Sequence, residues 1–144
     1  TNAIQANDFM FRKTIRDNGK AAKELLDEIK IDCNDNSEMS QMVTLTSKSL
    51  DYILENRDDQ EMLSCISFDY LMGFGYLVGG WLMDKAKRSA KEQLSKTSIN
   101  EIFLKSKIVS AEFYDFHILP RIDYHLKVVM KGAKVVQTAN DSFI

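Results

Sequence analysis

Proline occurs once and glycine six times among the 144 residues of this chain. Folds with many tight turns need more of both residues, so the composition excludes most sandwiches and barrels and favours helices. The two cysteines, Cys33 and Cys65, form no CxxC motif and no zinc-ligand spacing with the two histidines, which disfavours metal and redox sites. We therefore predict reduced thiols in a cytoplasmic protein.

A strong excess of charge is also missing, because the net charge is −2. Proteins that bind nucleic acids carry a clustered positive surface, so we predict no nucleic-acid partner. One basic cluster does occur, and its members are Lys85, Lys87, Arg88 and Lys91. We interpret this cluster as the solvated end of a helix, with a polyanion site as the alternative.

Helical periodicity runs through most of the chain. Apolar residues recur at helical spacing up to residue 30, and the Asn18-Gly19 pair divides this stretch into a short helix ending near residue 17 and a second helix over residues 20–30. Ser37 is the predicted N-cap of the next helix, which runs to about residue 56. A long helix then follows from residue 60 to about residue 94.

The last predicted helix begins at a capping box, in which Ser98 and Glu101 have the S-x-x-E spacing. Pro120 lies inside this helix and should kink it. We expect residues 132–144 to form a frayed tail. Together the patterns predict an all-α fold, an antiparallel four-helix bundle with one long apolar central helix and a Pro-kinked last helix. The apolar residues of the last helix include Ile99, Ile102, Phe103, Val109, Phe113, Phe116, Leu126, Val129, Met130 and Ala133.

The long helix is unusually apolar, because residues 62–83 contain a single charge, Asp69. Such a run is long enough to cross a bilayer. However, an aspartate near the middle of a membrane helix costs roughly 2.5–3.5 kcal/mol, and the neighbouring helices carry apolar stripes that need an apolar partner. We therefore predict a buried central helix and no membrane span, with a membrane span as the alternative.

Four of the six glycines lie in this long helix, at positions 73, 75, 79 and 80. A glycine inside a helix costs about 1 kcal/mol relative to alanine, so the cluster needs a reason. We predict that backbones approach closely along this side of the helix, with Gly75 and Gly79 on the same face. A ligand that touches the bare backbone is the alternative.

No complete catalytic or metal-binding constellation occurs in the sequence. His117 and His125 lack the Glu-x-x-His spacing of di-iron bundles, and no phosphate-binding or dinucleotide-binding glycine pattern is present. We interpret both histidines as surface or hydrogen-bonded residues. A general base is one interpretation of Asp69, and the one we favour is a carboxylate that faces solvent or bonds to a tyrosine hydroxyl.

The first thirteen residues, TNAIQANDFMFRK, resemble a stretch near the C-terminal end of acyl-CoA dehydrogenases. Ala3 stands where that family commonly has glycine, and Phe9 stands where it commonly has leucine. The residues that match the family pattern are Thr1, Asn2, Ile4, Gln5, Asp8, Arg12 and Lys13.

Two later segments, residues 74–83 and 105–122, are similar to a helical extension found in one branch of that family, the 3-methylmercaptopropionyl-CoA dehydrogenase-like enzymes. The most recognisable marks are the Gly80-Trp81 pair, the Leu119-Pro120-Arg121 triplet and the closing Asp141-Ser142-Phe143. The chain is thus identified as a C-terminal piece of such an enzyme. Residues 1–30 would close the helical bundle of the catalytic core, and residues 37–144 would form the extension domain.

The resemblance implies a parent enzyme that uses FAD to dehydrogenate an acyl-CoA thioester between its α- and β-carbons. The catalytic glutamate of the family would lie two positions before Thr1, so no catalytic residue and no metal ligand are expected in this sequence. The flavin-contacting positions correspond to Thr1, Asn2 and Ala3. The parent would bind FAD, the acyl-CoA and an electron acceptor and would form a homo-oligomer, whereas this piece alone would bind no FAD.

Two classes of function remain open. In the first, the chain is a structural domain of an oxidoreductase and is inactive alone, and its first helix exposes an apolar stripe that promotes self-association. In the second, the chain is a free-standing helical module that binds a partner helix or an apolar ligand and has no enzymatic activity.

Overall fold

A computed structural model describes residues 2–33 and 35–138, and these residues form helices and connecting turns without any strand. The all-α class is therefore confirmed. The elements are α1 (Asn2–Asn7), which continues directly as a π-helix (Asp8–Ile15), α2 (Lys20–Asp32), α3 (Ser37–Glu55), α4 (Gln60–Lys96), α5 (Glu101–His117), α6 (Arg121–Lys131) and the short α7 (Lys134–Gln137).

The long apolar helix α4 is the centre of the bundle. Its 37 residues extend over about 55 Å, and it packs against α1, the π-helix, α3, α5 and α6. By length and composition alone, α4 is apolar enough to cross a membrane. That finding is weak evidence for a membrane span, because the central helix of a bundle has the same composition. Its largest fully buried side chains are Leu63, Ile66, Tyr70 and Leu77.

Residues 2–15 pack onto α4 and share its core. Met10 is fully buried, and the ring of Phe9 stacks on that of Tyr70 with 5.1 Å between centroids. Thr14 Oγ1 donates a 3.4 Å hydrogen bond to the Tyr70 hydroxyl, and burial raises the pKa of Tyr70 to about 12. The prediction of an apolar stripe exposed along the first helix is therefore wrong, although Ile4 itself is exposed. The division at residues 30 and 37 stays a prediction.

Of two predicted helix junctions, one is confirmed and the other is sharper than expected. Asn18 and Gly19 both adopt left-handed backbone angles, so the predicted break at this pair is confirmed. At Pro120 the chain breaks completely between α5 and α6, a sharper interruption than a kink. The proline has no N–H to donate, and its ring clashes with the preceding turn, so a continuous helix cannot form here. The last turn of α5 closes instead with two hydrogen bonds, in which the N–H groups of Ile118 and Leu119 both donate to the carbonyl of Tyr114.

The predicted capping box at the start of the last helix is wrong. The helix begins at Glu101, and its N-cap is Asn100 in a left-handed conformation without a side-chain cap. The Glu101 carboxylate forms an ion pair with Lys105 one turn later, so it does not reach back toward Ser98. At the other end, Ala133 is buried and α7 forms, so residues 132–138 are more ordered than a frayed tail, and residues 139–144 lie outside the described range.

The glycines of α4 allow close packing at positions 73, 79 and 80, but not at Gly75. A Cβ atom on Gly73 would lie 2.6 Å from Leu126 Cδ2, and one on Gly80 would lie 2.7 Å from Leu119 Cδ1. A Cβ on Gly79 would collide with the Tyr114 ring. Gly75 has nothing within 4 Å of that position, so the prediction that it shares a packed face with Gly79 is wrong. Side chains of α5, the turn after it and α6 fill the space, which leaves no room there for a ligand.

We expect Asn36→Ala to destabilise the chain by about 1 kcal/mol and Ser37→Ala to leave it almost unchanged. The sequence pattern predicts Ser37 as the N-cap of α3, but the structure places Asn36 there, with its side-chain oxygen accepting a 3.1 Å hydrogen bond from Met39 N–H. Ser37 is exposed in the first turn. Urea unfolding of the two variants decides between the caps, and equal midpoints would contradict the assignment of Asn36.

Candidate functional site

Two of the three residues that resemble flavin contacts lie at the start of α1. Asn2 and Ala3 are both exposed on α1, and Thr1 lies outside the described residues. Further along, Arg12 donates hydrogen bonds to both carboxylate oxygens of Asp8, which lowers the pKa of that carboxyl. The π-helix that holds this pair is a rare geometry that is frequent at functional sites.

These residues do not enclose a cofactor by themselves. Five open depressions, with volumes of about 220 to 620 Å³, lie on the described surface, and none of the five is lined by Asn2 or Ala3. A flavin site needs walls that bury most of the cofactor. The role of Asn2 and Ala3 as flavin contacts therefore stays a prediction.

Asp69 and His125 form a pair that joins α4 to α6. The His125 Nδ1 atom lies 2.7 Å from Asp69 Oδ1, and both side chains are mostly buried. The interpretation of His125 as a hydrogen-bonded residue is confirmed, whereas solvent or a tyrosine hydroxyl as the partner of Asp69 is wrong. Aromatic rings of Phe68, Tyr76 and Tyr124 pack around the imidazole.

The Asp69–His125 pair has the geometry of a base and its orienting carboxylate, but it lacks a nucleophile. Among the described residues, no hydroxyl, thiol or amine side chain is hydrogen-bonded to His125. His117, the second histidine of the sequence, packs against the rings of Phe113 and Phe116 instead. Over the same described residues, no group of three or more potential metal ligands comes together. The pair is thus best explained as a link between two helices.

The basic cluster of α4 is largely neutralised by acidic side chains. Arg88 bonds to Asp32 at 2.9 Å and to Asp84 at 2.8 Å. Lys85 lies 3.6 Å from Asp32, and Lys87 lies 3.1 Å from a carboxylate oxygen of Asp115. The interpretation as a solvated helix end therefore holds for Lys91, which is exposed, but the other three cations join α4 to α2 and α5.

Trp81 and Cys33 lie in the same junction between α2 and α4. The indole N–H of Trp81 donates a 2.6 Å hydrogen bond to Asp32, and this bond, together with Arg88, lowers the pKa of the Asp32 carboxyl. Cys33 is a free, buried thiol whose pKa is raised to about 11 by burial and by the nearby Asp84 carboxylate. A thiol held protonated in this way is a poor nucleophile.

The sequence patterns missed one surface feature, an apolar face on α5. The buried residues of this helix are Leu104 and Ala111, on one narrow side. The opposite side is exposed, with exposed fractions between 57% and 88% for its large apolar residues. We call this set, together with Ile99 two residues before the helix, the α5 outer face. Its members are Ile99, Ile102, Phe103, Val109, Phe113 and Phe116.

Comparisons with known proteins assign the chain to a family. Residues 13–139 match the family model described as acetyl-CoA dehydrogenase C-terminal like. The chain is 28% identical over 131 residues to the 3-methylmercaptopropionyl-CoA dehydrogenase of Ruegeria pomeroyi, a match that covers 83% of this chain and 22% of that protein. It is also 28% identical over 148 aligned positions to the broad-specificity linear acyl-CoA dehydrogenase FadE5 of Mycobacterium tuberculosis, covering 90% of this chain and 24% of that protein. The chain thus spans about a quarter of the length of these relatives, and it belongs to the family of acyl-CoA dehydrogenase C-terminal domains.

Proposed function

We propose that this chain is the C-terminal helical domain of an FAD-dependent acyl-CoA dehydrogenase, in which it has a structural role and no activity alone. The match of residues 13–139 to the family model is the observation that carries the proposal. The parent enzyme dehydrogenates an acyl-CoA thioester between its α- and β-carbons. In this proposal the parent binds the acyl-CoA, FAD and an electron acceptor, forms a homo-oligomer and is cytoplasmic.

The described residues support a structural role because their polar contacts join helices. Asp69 pairs with His125 between α4 and α6, and Asp32 receives hydrogen bonds from two side chains of α4. We assign the catalytic glutamate to the position two residues before Thr1. Thr1, Asn2 and Ala3 are then the proposed flavin contacts of this domain, and the rest of the parent enzyme supplies the other contacts.

The chain alone should bind neither FAD nor an acyl-CoA. Trp81 is the single tryptophan and is mostly buried, so its fluorescence reports changes in the bundle. Titration with FAD or with palmitoyl-CoA at micromolar concentrations should give no saturable change in Trp81 fluorescence. In a separate assay with palmitoyl-CoA as the substrate, the chain should not catalyse reduction of an electron-accepting dye. Unfolding the chain in urea is the positive control, because it shows that Trp81 fluorescence responds to a change in the bundle.

The coding sequence directly before the Thr1 codon should specify Glu-Gly in frame.

Saturable micromolar binding of palmitoyl-CoA without flavin would contradict the structural role. It would favour the alternative of a free-standing helical module, in which the exposed α5 outer face binds the apolar ligand. An unrelated sequence before Thr1 would contradict the assignment to a larger dehydrogenase.

A further inference from the structure

The α5 outer face exposes more apolar surface than a monomer usually leaves in water. The exposed fractions of its six residues add up to about four whole large side chains. At about 150–200 Å² for each such side chain, the exposed area is roughly 600–800 Å². The largest apolar patch of a typical monomer is about 300–600 Å², and a standard interface buries about 800 Å² per partner. The face therefore has the area of one half of a stable interface.

The spacing of residues within α5 is that of a coiled-coil seam. Ile102, Ser106, Val109, Phe113 and Phe116 follow one another at intervals of four, three, four and three residues. Leu104 and Ala111 lie on the opposite side, where the helix packs on its own bundle. A second helix can thus pack along the seam without competing with the bundle contacts.

The order of side chains along the seam is self-complementary when two copies run antiparallel. Ile102 of one copy then lies opposite Phe113 of the other, and Ser106 lies opposite Val109. Each layer pairs a larger side chain with a smaller one, which is the arrangement that fills a helix–helix interface evenly. The 17 residues of α5 form a seam about 25 Å long.

The charges beside the seam fit the same antiparallel register. Lys105 and Glu112 are seven residues apart on one flank, and both are exposed; within the chain Lys105 pairs with Glu101, and Glu112 lies 4.0 Å from Lys87. In the register that places Ser106 opposite Val109, Lys105 of each copy lies about 3 Å along the helix axis from Glu112 of the other, within reach of an ion pair. A two-fold axis therefore creates two equivalent ion pairs across one interface.

We propose that the α5 outer face is a homodimer interface, in which the α5 helices of two copies of this chain pack antiparallel about a two-fold axis. The apolar area, the seam spacing and the paired Lys105 and Glu112 flanks all favour a second copy as the occupant of this face. This inference adds a defined surface to the homo-oligomer in the proposed function, and its test does not depend on flavin or acyl-CoA.

Sedimentation of the chain over a range of concentrations should show a reversible equilibrium between 16.5 kDa and twice that mass. Val109→Glu places a charge in the middle of the seam and should raise the dimer Kd by more than about a hundredfold. Ile31→Glu is the matched control, because Ile31 is an exposed apolar residue of α2, outside α5. This control should leave the Kd unchanged.

A charge-exchange cycle tests the register. Lys105→Glu and Glu112→Lys each place like charges beside one another across the interface, so each should raise the Kd by about tenfold. The double variant restores opposite charges and should return the Kd to within about threefold of the original value. A parallel pair of helices places each of these residues beside a different neighbour and gives no such recovery.

Three outcomes would overturn the inference. One is a chain that stays monomeric at every concentration, as expected if another polypeptide segment covers α5. Another is an association that Ile31→Glu disrupts as strongly as Val109→Glu, because this would indicate non-specific aggregation. The last is a double charge variant as weak as the single variants. In each case the assignment to acyl-CoA dehydrogenases is unaffected, since it rests on the family match and is tested by the titration and the coding sequence described above.

Discussion

Trp81→Ala should lower the free energy of unfolding by about 3–5 kcal/mol, the range for removal of a buried aromatic side chain. The Trp81 side chain is mostly buried in the core between α4 and the end of α2. The variant also removes the 2.6 Å hydrogen bond to Asp32 and the contact with Lys85, whose Nζ atom lies 4.2 Å from the centre of the indole ring. Urea unfolding followed by circular dichroism measures the loss.

The matched control is Leu82→Ala at the next position of α4. Leu82 is 54% exposed, so its truncation should change stability by no more than about 0.5 kcal/mol. If both variants unfold at the same urea concentration, then Trp81 does not join the two helices as described.

Trp81→Phe separates the hydrogen bond from the packing, because it keeps an aromatic ring and removes the N–H donor. The bond from Trp81 is the main cause of the lowered pKa of Asp32, with a further contribution from Arg88. A carboxyl whose pKa is lowered by folding stabilises the fold above its unfolded value of about 3.9, and that stabilisation disappears as the pH falls through the lower folded value. The stability difference between Trp81→Phe and the original chain should therefore be present at pH 7 and shrink in acid. A difference that is constant with pH would exclude this role of Asp32.

The fold class could be predicted because local patterns determine it. Few prolines and glycines, apolar residues at helical spacing and a single charge over residues 62–83 all point to a bundle around one central helix. The Asn18-Gly19 break and the interruption at Pro120 were also predictable, since their causes lie in the backbone of the residues themselves. The π-helix was not predictable in this way, because no periodic pattern identifies it.

Contacts between distant residues could not be predicted. Asp69 and His125 are 56 positions apart, and their pairing depends on how α6 returns to α4 after the break at Pro120. The α5 outer face was missed for a different reason. Helical spacing shows that one side of a helix is apolar, but it does not indicate whether that side packs on its own bundle or on another copy. In the structure, the side of α5 that packs on the bundle is narrower than the exposed apolar side, and its buried residues are Leu104 and Ala111.

Replacement of Gly75 and of Gly80 by leucine should change the free energy of unfolding in opposite directions, although the sequence alone does not distinguish the two positions. Gly75→Leu should stabilise the chain slightly, by up to about 1 kcal/mol, because leucine has the higher helix propensity. Gly75 is exposed and has nothing within 4 Å of the Cβ position. This variant is therefore the matched control for the same substitution in the packed part of the helix.

Gly80→Leu should destabilise the chain by about 1–3 kcal/mol, the usual cost of overpacking a core. The new Cβ would lie 2.7 Å from Leu119 Cδ1 and 3.3 Å from the sulfur of Met39. Both neighbouring side chains are fully buried, so neither can move aside without disturbing the core around it. The overpacking cost then exceeds the gain in helix propensity, and the urea midpoint falls. Equal midpoints for Gly75→Leu and Gly80→Leu would mean that the turn at Leu119 does not press against α4, and the close packing of these helices would have to be rejected.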